Sequence, residues 1–389
     1  ALAYGFKWVW APLVDRLPLP GLSARLGRRR AWLLLSQLVV IAGLLGMALT
    51  DPAVHLERLV VLAVLAAFAS ATQDIVIDAF RIESGDARLQ AAMASTYMIG
   101  YRLAMISASA GVLWLAAWAA TGDTGYEFAA WRLAYACMAL TMLVGVITTL
   151  SVAEPAGVVP APPAAPPGTP RSVRLLRWLN DAVLQPFADF LRRYRWQAVL
   201  LLALIASYRL SDIVLGVISN VFYVDMGFSK TDVANVTKVF GVIMTLLGSV
   251  LGGVLVSRLG VMRILFVGGL LAAVTNLAFA LLAVSGPRLD LLIGAIAMDN
   301  LSAGLATAAF IAYLSALTNI TYSATQYALF SSLMLLLPKF VGGFSGVMVD
   351  GLDYPLFFLL TTLMGLPVLA LVWLAWRFVP PPEQARPHA

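Results

Sequence analysis

The stretch AWLLLSQLVVIAGLLGMAL, from Ala31 to Leu49, carries no charged side chain and is apolar on every face of a helix. A helix of about 20 apolar residues crosses the hydrocarbon core of a bilayer. The strands of a membrane β-barrel instead alternate apolar and polar residues. The stretch therefore predicts a membrane-spanning helix.

Similar runs recur along the whole chain of 389 residues, which is 61% hydrophobic and 12% charged and has a mean hydropathy of +0.88. This composition lies outside the range of soluble domains and predicts an all-α bundle that crosses the membrane many times. We count about eleven apolar segments of spanning character. They cover residues 1–14, 31–50, 57–80, 89–119, 132–152, 195–223, 231–256, 262–285, 289–317, 322–348 and 355–377.

Several classes of function are disfavoured by what the sequence lacks. The one cysteine, Cys137, rules out an internal disulfide, and the two histidines, His55 and His388, lie outside the main apolar runs, so neither a metal site nor a cofactor is expected. There is no GxxxxGK[ST] phosphate loop. The net charge of +6 comes from basic residues that flank the spans, so we expect a lipid bilayer rather than nucleic acid as the partner.

Basic loops orient the chain, because short loops rich in Lys and Arg stay in the cytoplasm. Alternate loops hold most of the twenty-six basic residues, which predicts a multi-pass protein of the bacterial inner membrane with a cytoplasmic C-terminus. We expect an N-terminal half at residues 1–153, a cytoplasmic linker at 154–194 and a C-terminal half at 195–389.

The linker is proline-rich from Pro155 to Pro170 and is followed by Arg171, Arg174 and Arg177 on one face of a predicted helix. That helix is either interfacial or solvated.

Five spans precede the linker and six follow it, so we expect one span and the start of a second to be missing before Ala1. The bundle is then two pseudosymmetric six-helix halves, and the visible spans are numbered TM2 to TM12. A weak repeat supports this symmetry, because SARLGRR (Ser23–Arg29) after TM2 is echoed by SRLGVMR (Ser257–Arg263) after TM8.

Charged side chains inside the spans predict a polar interior, since a charge at bilayer depth is costly unless it faces a cavity or a partner. Under the numbering above, every third helix (TM3, TM6, TM9 and TM12) has none, which fits a transporter in which some helices line a central path and others face lipid. The charged residues are Lys7, Asp74, Asp78, Arg102, Arg209, Asp212, Lys238, Asp299 and Lys339.

Two interpretations of these charges remain open. Arg209 and Asp212 lie three residues apart and either contact a ligand or neutralise each other. Asp74 and Asp78 lie one helical turn apart, so either their repulsion poises one of them for proton exchange or Arg81 or Arg102 compensates them. Because the apolar spans that carry these charges contain no histidine, carboxylates are the expected proton carriers: Asp74, Asp78, Asp212 and Asp299.

A dense polar loop follows the first apolar segment, with Asp15, Arg16, Arg28 and Arg29 as its candidate gating residues. It resembles the loop motif of the major facilitator superfamily, in which charges pin helix ends in one conformation. A plain positive-inside anchor is the alternative.

Longer stretches resemble the AmpG-type muropeptide permeases of that superfamily. They include YGFKWVWAPLVDR (Tyr4–Arg16), SATQDIVIDAF (Ser70–Phe80), GYRLAM (Gly100–Met105), DNLSAGLATAAFIAYL (Asp299–Leu314) and YSATQYALFSSL (Tyr322–Leu333). The resemblance implies proton-driven import of disaccharides of N-acetylglucosamine and anhydro-N-acetylmuramic acid, with or without stem peptide. We expect the protein to be a monomer. The expected substrate contacts are Lys7, Gln73, Tyr97, Arg102, Tyr208, Arg209, Lys238, Asn300, Gln326 and Lys339.

Other functions remain as alternatives. The same fold would also carry another anionic solute, such as an acyl-CoA, a sugar phosphate or a siderophore. A membrane-embedded enzyme or receptor is disfavoured, because no catalytic set of Ser, His or metal ligands is evident.

Overall fold

The computed structural model describes residues 2–86, 89–122, 126–156 and 170–380. Its first nine helices are α1 (Leu2–Phe6), α2 (Ala11–Arg16), α3 (Leu22–Leu26), α4 (Arg28–Ala48), α5 (Pro52–Ser84), α6 (Gln90–Ile106), α7 (Val112–Ala119), α8 (Phe128–Ser151) and α9 (Arg171–Leu179). The other nine are α10 (Gln185–Tyr194), α11 (Gln197–Ser207), α12 (Leu210–Asp225), α13 (Lys230–Val233), α14 (Gly241–Leu259), α15 (Val261–Ser285), α16 (Leu289–Leu317), α17 (Ser323–Gly342) and α18 (Ser345–Phe378).

Ten helical segments of the described residues are long and apolar enough to cross a membrane. They match ten of the predicted segments in order, so the prediction of an all-α membrane bundle is confirmed. The remaining segment, residues 1–14, forms the short helices α1 and α2 around the 3₁₀ turn Lys7–Val9, each too short to span alone.

Two spans are broken where their polar residues lie. Arg209 leaves helical geometry (φ −103°, ψ 13°) between α11 and α12, which together form one span, Gln197–Asp225. Asp353 (φ 61°, ψ 164°) leaves helical geometry within α18, and the part of α18 that follows it covers the last predicted span. Such breaks expose backbone groups, which is tolerated at membrane depth only where protein or a wet cavity satisfies them.

The internal repeat is also visible in the backbone. Gly27 precedes α4 with φ 89° and ψ 169°, and Gly260 precedes α15 with φ 89° and ψ 153°. A positive φ of this kind is strained for residues that have a Cβ, so both copies of the repeat use glycine to start the following helix.

The described chain forms two compact units. The first unit comprises residues 1–84, 100–186 and 319–328. Its core joins α2, α4 and α5 to the start of α17, with Ala11, Ile75, Val76 and Ala324 almost fully buried. The second unit comprises residues 85–99, 187–318 and 329–389.

Tight helix packing builds the second unit. Gly252 of α14 lies so close to α16 that an added Cβ would meet the Leu305 backbone oxygen at 2.9 Å and the Ala308 Cβ at 3.1 Å, and Gly248 is closer still to Leu301. Small residues at GxxxG spacing let two helices approach this closely. The same unit also contains a buried apolar cluster in which the rings of Phe222 and Phe358 meet edge to face at 4.8 Å.

The compact units and the predicted halves differ in two segments, residues 85–99 and 319–328, each of which packs with the unit built mainly from the other half. The division at the linker remains a prediction. Much of the proline-rich stretch, residues 157–169, lies outside the described residues, as do the side chains of Arg174 and Lys238.

Candidate functional site

The first unit contains a buried ionic network centred on Arg29, which is 1% exposed. The guanidinium Nη2 lies 2.6 Å from the Glu83 Oε1 and 2.7 Å from the Asp15 Oδ1, and it also donates to the Ser323 hydroxyl at 2.8 Å. Two carboxylates and one guanidinium are thus withdrawn from water together. Buried charges of this kind are stable only while each keeps its partners.

Asp15 binds the start of α17. Its carboxylate accepts hydrogen bonds from the backbone N–H of Ala324 (3.2 Å) and Thr325 (2.8 Å) and from the Thr325 hydroxyl (2.6 Å). The first N–H groups of a helix have no partner inside the helix and carry partial positive charge, so a carboxylate is favoured there. The predicted gating residues Asp15 and Arg29 are therefore joined to a segment about 300 residues later in the chain.

The other two predicted gating residues surround this network. Arg28 donates to the backbone carbonyl of Asp15 and lies 3.8 Å from the Glu83 carboxylate. Arg16 donates to the Asp181 carbonyl at 3.4 Å and lies 5.3 Å from the centre of the Tyr322 ring. The structure thus brings all four residues to one region, although their role in gating remains a prediction.

A second charged cluster connects the 3₁₀ turn with α5. The Lys7 Nζ lies 2.6 Å from Asp74 and 3.6 Å from Asp78, and the Arg81 Nη2 lies 3.5 Å from Asp78. Two cations therefore lie beside the two carboxylates, Lys7 next to both and Arg81 next to Asp78 only. Whether one carboxylate exchanges a proton remains a prediction. Arg102 and Gln73 are half-buried in α6 and α5.

The span charges of the second unit are arranged differently. Arg209 and Asp212 lie at the break between α11 and α12, Asp299 lies within α16, and Lys339 is exposed on α17. None of these four takes part in the ion pairs found among the described residues, which in this unit join Arg193 to Asp189 and Arg288 to Asp290. Arg209 and Asp212 therefore do not neutralise each other through direct contact.

Four more of the predicted substrate contacts have partners within the protein. The Tyr208 hydroxyl donates to the Leu265 carbonyl at 2.9 Å. The Asn300 Oδ1 accepts from the Thr245 hydroxyl at 2.8 Å, and the Gln326 Nε2 donates to the Pro186 carbonyl at 2.8 Å. Tyr97 packs against a small apolar cluster with Met98. Their hydrogen-bonding groups and rings hold helices together, and their role as ligand contacts remains a prediction.

Comparison with known proteins identifies the family. The Major Facilitator Superfamily model matches residues 6–287 and 200–389. The putative transporter AmpG 4 of Rickettsia conorii (strain ATCC VR-613 / Malish 7) is 33% identical over 368 residues, which are 95% of this chain and 84% of that protein. The anhydromuropeptide permease of Escherichia coli (strain K12) is 33% identical over 371 residues, 95% of this chain and 70% of that protein. The chain belongs to the AmpG-type branch of the major facilitator superfamily.

Solved structures agree on the fold of this superfamily member. The proton:xylose symporter XylE bound to 6-bromo-6-deoxy-D-glucose has a TM-score of 0.65 and 14% identity, over 98% of this chain and 85% of that one. The transporter FucP in its outward conformation has a TM-score of 0.66 and 14% identity, over 96% and 88%. Because these relatives are permeases and transporters, this member of the superfamily is a membrane transporter of small molecules and not an enzyme.

Sequence reasoning missed three sets of residues in this transporter. Glu83 is the second carboxylate on Arg29, and Glu154 accepts from the backbone N–H of Arg29 at 2.7 Å and of Arg30 at 3.0 Å, which caps α4. In the second unit, the buried Asn276 donates to Ser211 at 2.6 Å beside the α12 break, and Ser211 donates to the Thr361 carbonyl at 2.8 Å. For Glu83 and Glu154, the only signal in the sequence was an acidic residue at the end of an apolar run, and this signal did not indicate a partner.

Proposed function

We propose that the chain is a secondary active transporter that imports anhydro-muropeptides, N-acetylglucosamine–anhydro-N-acetylmuramic acid with or without stem peptide, from the periplasm to the cytoplasm. The observation that carries the proposal is the 33% identity to the E. coli anhydromuropeptide permease over 95% of this chain. Identity spread over both compact units supports a shared cargo more strongly than a shared fold does.

The charges of the second unit support a ligand of this chemistry. Arg209 and Lys339 are cations without ion pairs among residues 170–380, and a muropeptide offers carboxylates that a guanidinium binds with two hydrogen bonds. Asp212 and Asp299 are proposed as the carboxylates that gain and lose the coupling proton. Lys7, Asp74 and Asp78 form the polar lining in the first unit, where Lys7 already pairs with both carboxylates.

Transport in this proposal proceeds by alternating access, with the Asp15, Arg16, Arg28 and Arg29 set as the gate. The hydrogen bonds from Ala324 and Thr325 to Asp15 would break and re-form in each cycle. Asp15→Asn keeps the shape but weakens the charge at the start of α17. We expect it to change the rate of uptake and to leave the binding affinity for substrate near that of the wild type.

The orientation follows from the basic loops, so the C-terminus is proposed to be cytoplasmic and the protein to lie as a monomer in the bacterial inner membrane.

Uptake by proteoliposomes tests the central proposal. Vesicles of purified protein should accumulate labelled anhydro-muropeptide only with an inward proton gradient, and Asp212→Asn should abolish accumulation. Asp290→Asn is the matched control, since Asp290 is an exposed carboxylate of the same unit that pairs with Arg288. Accumulation that ignores the gradient would exclude proton symport.

A second cargo class stays open because Arg209 and Lys339 would also attract other anions, such as an acyl-CoA, a sugar phosphate or a siderophore. A thermal-shift panel of cell-wall fragments and these compounds separates the two proposals. If no cell-wall fragment raises the unfolding midpoint and one of the other anions does, the substrate belongs to the second class.

A further inference from the structure

The second unit brings the start of one span and the end of another to the same membrane boundary. The span Gln197–Asp225 begins directly after α10, and α18 ends at Phe378. The Gln197 Nε2 donates to the Phe378 carbonyl at 2.7 Å, and the rings of Trp196 and Phe378 meet edge to face at 6.1 Å. Both rings are exposed, Trp196 by 64% and Phe378 by 47%.

The chain turns sharply at this boundary. Arg195, between α10 and the span, has φ 50°, a left-handed conformation that is uncommon for residues other than glycine. Helix α10, just before this turn, has a buried side and an exposed side. Its Phe190 and Tyr194 are almost fully buried, while Leu191 and Arg192 are exposed. The exposed side of α10 therefore lies next to the first turn of the span.

Three exposed arginines belong to this region: Arg192, Arg195 and Arg377. None of them is in an ion pair among residues 170–380. In contrast to these three residues, the neighbouring Arg193 pairs with Asp189 at 3.0 Å and donates a hydrogen bond to the Leu317 carbonyl. Three positive charges with no ion pair among the described residues thus lie close in the chain to two exposed aromatic rings, at the boundary where two spans begin and end.

We propose that this region, the arginine–tryptophan patch (Arg192, Arg195, Trp196, Arg377 and Phe378), binds the phosphate headgroup of an anionic phospholipid. A guanidinium forms paired hydrogen bonds with phosphate, and aromatic rings settle at the headgroup level of a bilayer. A basic residue near an anionic lipid surface strengthens binding appreciably. The acyl chains would continue along the apolar sides of α11 and α18, where Val199 and Trp373 are exposed.

Lipid titration of the purified full chain in neutral detergent tests the patch. Phosphatidylglycerol should raise the thermal unfolding midpoint at lower concentration than phosphatidylcholine with the same acyl chains, and inorganic phosphate should not raise it. The triple variant Arg192→Gln/Arg195→Gln/Arg377→Gln should need about tenfold more phosphatidylglycerol, or more, for half of the shift.

A second triple variant, the control, removes three positive charges that lie outside the arginine–tryptophan patch. Arg25, Arg258 and Arg263 are also exposed, and their change to glutamine should leave the phosphatidylglycerol titration as in the wild type. The single variant Arg195→Gln, measured beside the triple, should shift the titration about twofold or more, so the result does not depend on the triple variant folding. Equal losses in both triple variants, or equal shifts by the two lipids, would overturn the proposal.

Discussion

The two compact units differ in how their charged side chains are partnered. In the first unit, Arg29, Glu83 and Asp15 form a closed ionic network, and Lys7 holds Asp74. In the second unit, the span charges with described side chains form no ion pairs among the described residues, and neutral hydrogen bonds such as Asn276 to Ser211 join the helices. A charge that already has a partner can stabilise a conformation, whereas a charge without one is available for a ligand or a proton.

Arg29→Ala should produce the largest loss of stability. It would leave Glu83 and Asp15 buried without their shared cation, which costs about 3 to 5 kcal/mol. The measurement is the free energy of unfolding of the detergent-solubilised protein by chemical denaturation. Arg288→Ala, which breaks an exposed pair with Asp290, is the control and should show no measurable change. Equal losses in the two variants would remove the contrast between buried and exposed pairs.

Lys7→Met should cost about 3 kcal/mol, because Asp74 and Asp78 would face each other without the ammonium group. The double variant Lys7→Met/Asp74→Asn should recover part of that loss. A double-mutant cycle on unfolding free energies then gives a coupling of about 1 to 3 kcal/mol. A coupling near zero would mean that the Lys7 contact does not compensate the carboxylates.

Asn276→Leu should cost about 1 kcal/mol, which is the usual scale of a hydrogen bond between membrane helices. It removes the bond to Ser211 beside the α12 break and leaves that hydroxyl with the Thr361 carbonyl. Thr275→Val is the matched control, since the Thr275 hydroxyl donates within its own helix to the Ala272 carbonyl. If the control costs as much as Asn276→Leu, the bond between helices is not what stabilises this region.

Arg209→Gln and Asp299→Asn should change the unfolding free energy least, by less than about 0.5 kcal/mol, because neither breaks an ion pair. Both should reduce uptake by at least about tenfold, as expected for groups that bind a ligand or a proton. Unfolding and vesicle uptake are measured on the same preparations. A stability loss as large as that of Arg29→Ala, or wild-type uptake, would contradict the role given to the second unit.

Local properties of the sequence predicted most of the fold. Hydropathy identified ten spans in order, because each span is a continuous apolar run whose length is set by the bilayer. The short repeat around Gly27 and Gly260 was also recognised, and the two glycines share one backbone conformation. The first apolar segment, which was expected to be an incomplete span, forms the short helices α1 and α2 around the 3₁₀ turn Lys7–Val9.

The partners within the candidate site were much less predictable. The sequence placed Asp15 and Arg29 in one polar loop, but it did not indicate Glu83 or Thr325 as their partners. It left open whether Asp74 and Asp78 are poised for proton exchange or are compensated by a cation, and it did not indicate that Lys7 lies beside both carboxylates. Tyr208 and Gln326 were expected to contact substrate because of the resemblance to the muropeptide permeases, while their hydrogen bonds depend on backbone carbonyls that have no sequence signal.

The sequence by itself determined that this protein is a bundle of membrane helices, which of its segments carry charge, and which branch of transporters it belongs to, because hydropathy, loop charge and motif identity are properties of neighbouring residues. Only the tertiary structure decided which charges are neutralised. Asp15 and Thr325 meet across 310 positions of the chain and Arg29 and Glu83 across 54, and such contacts arise from the packing of helices rather than from spacing along any one of them.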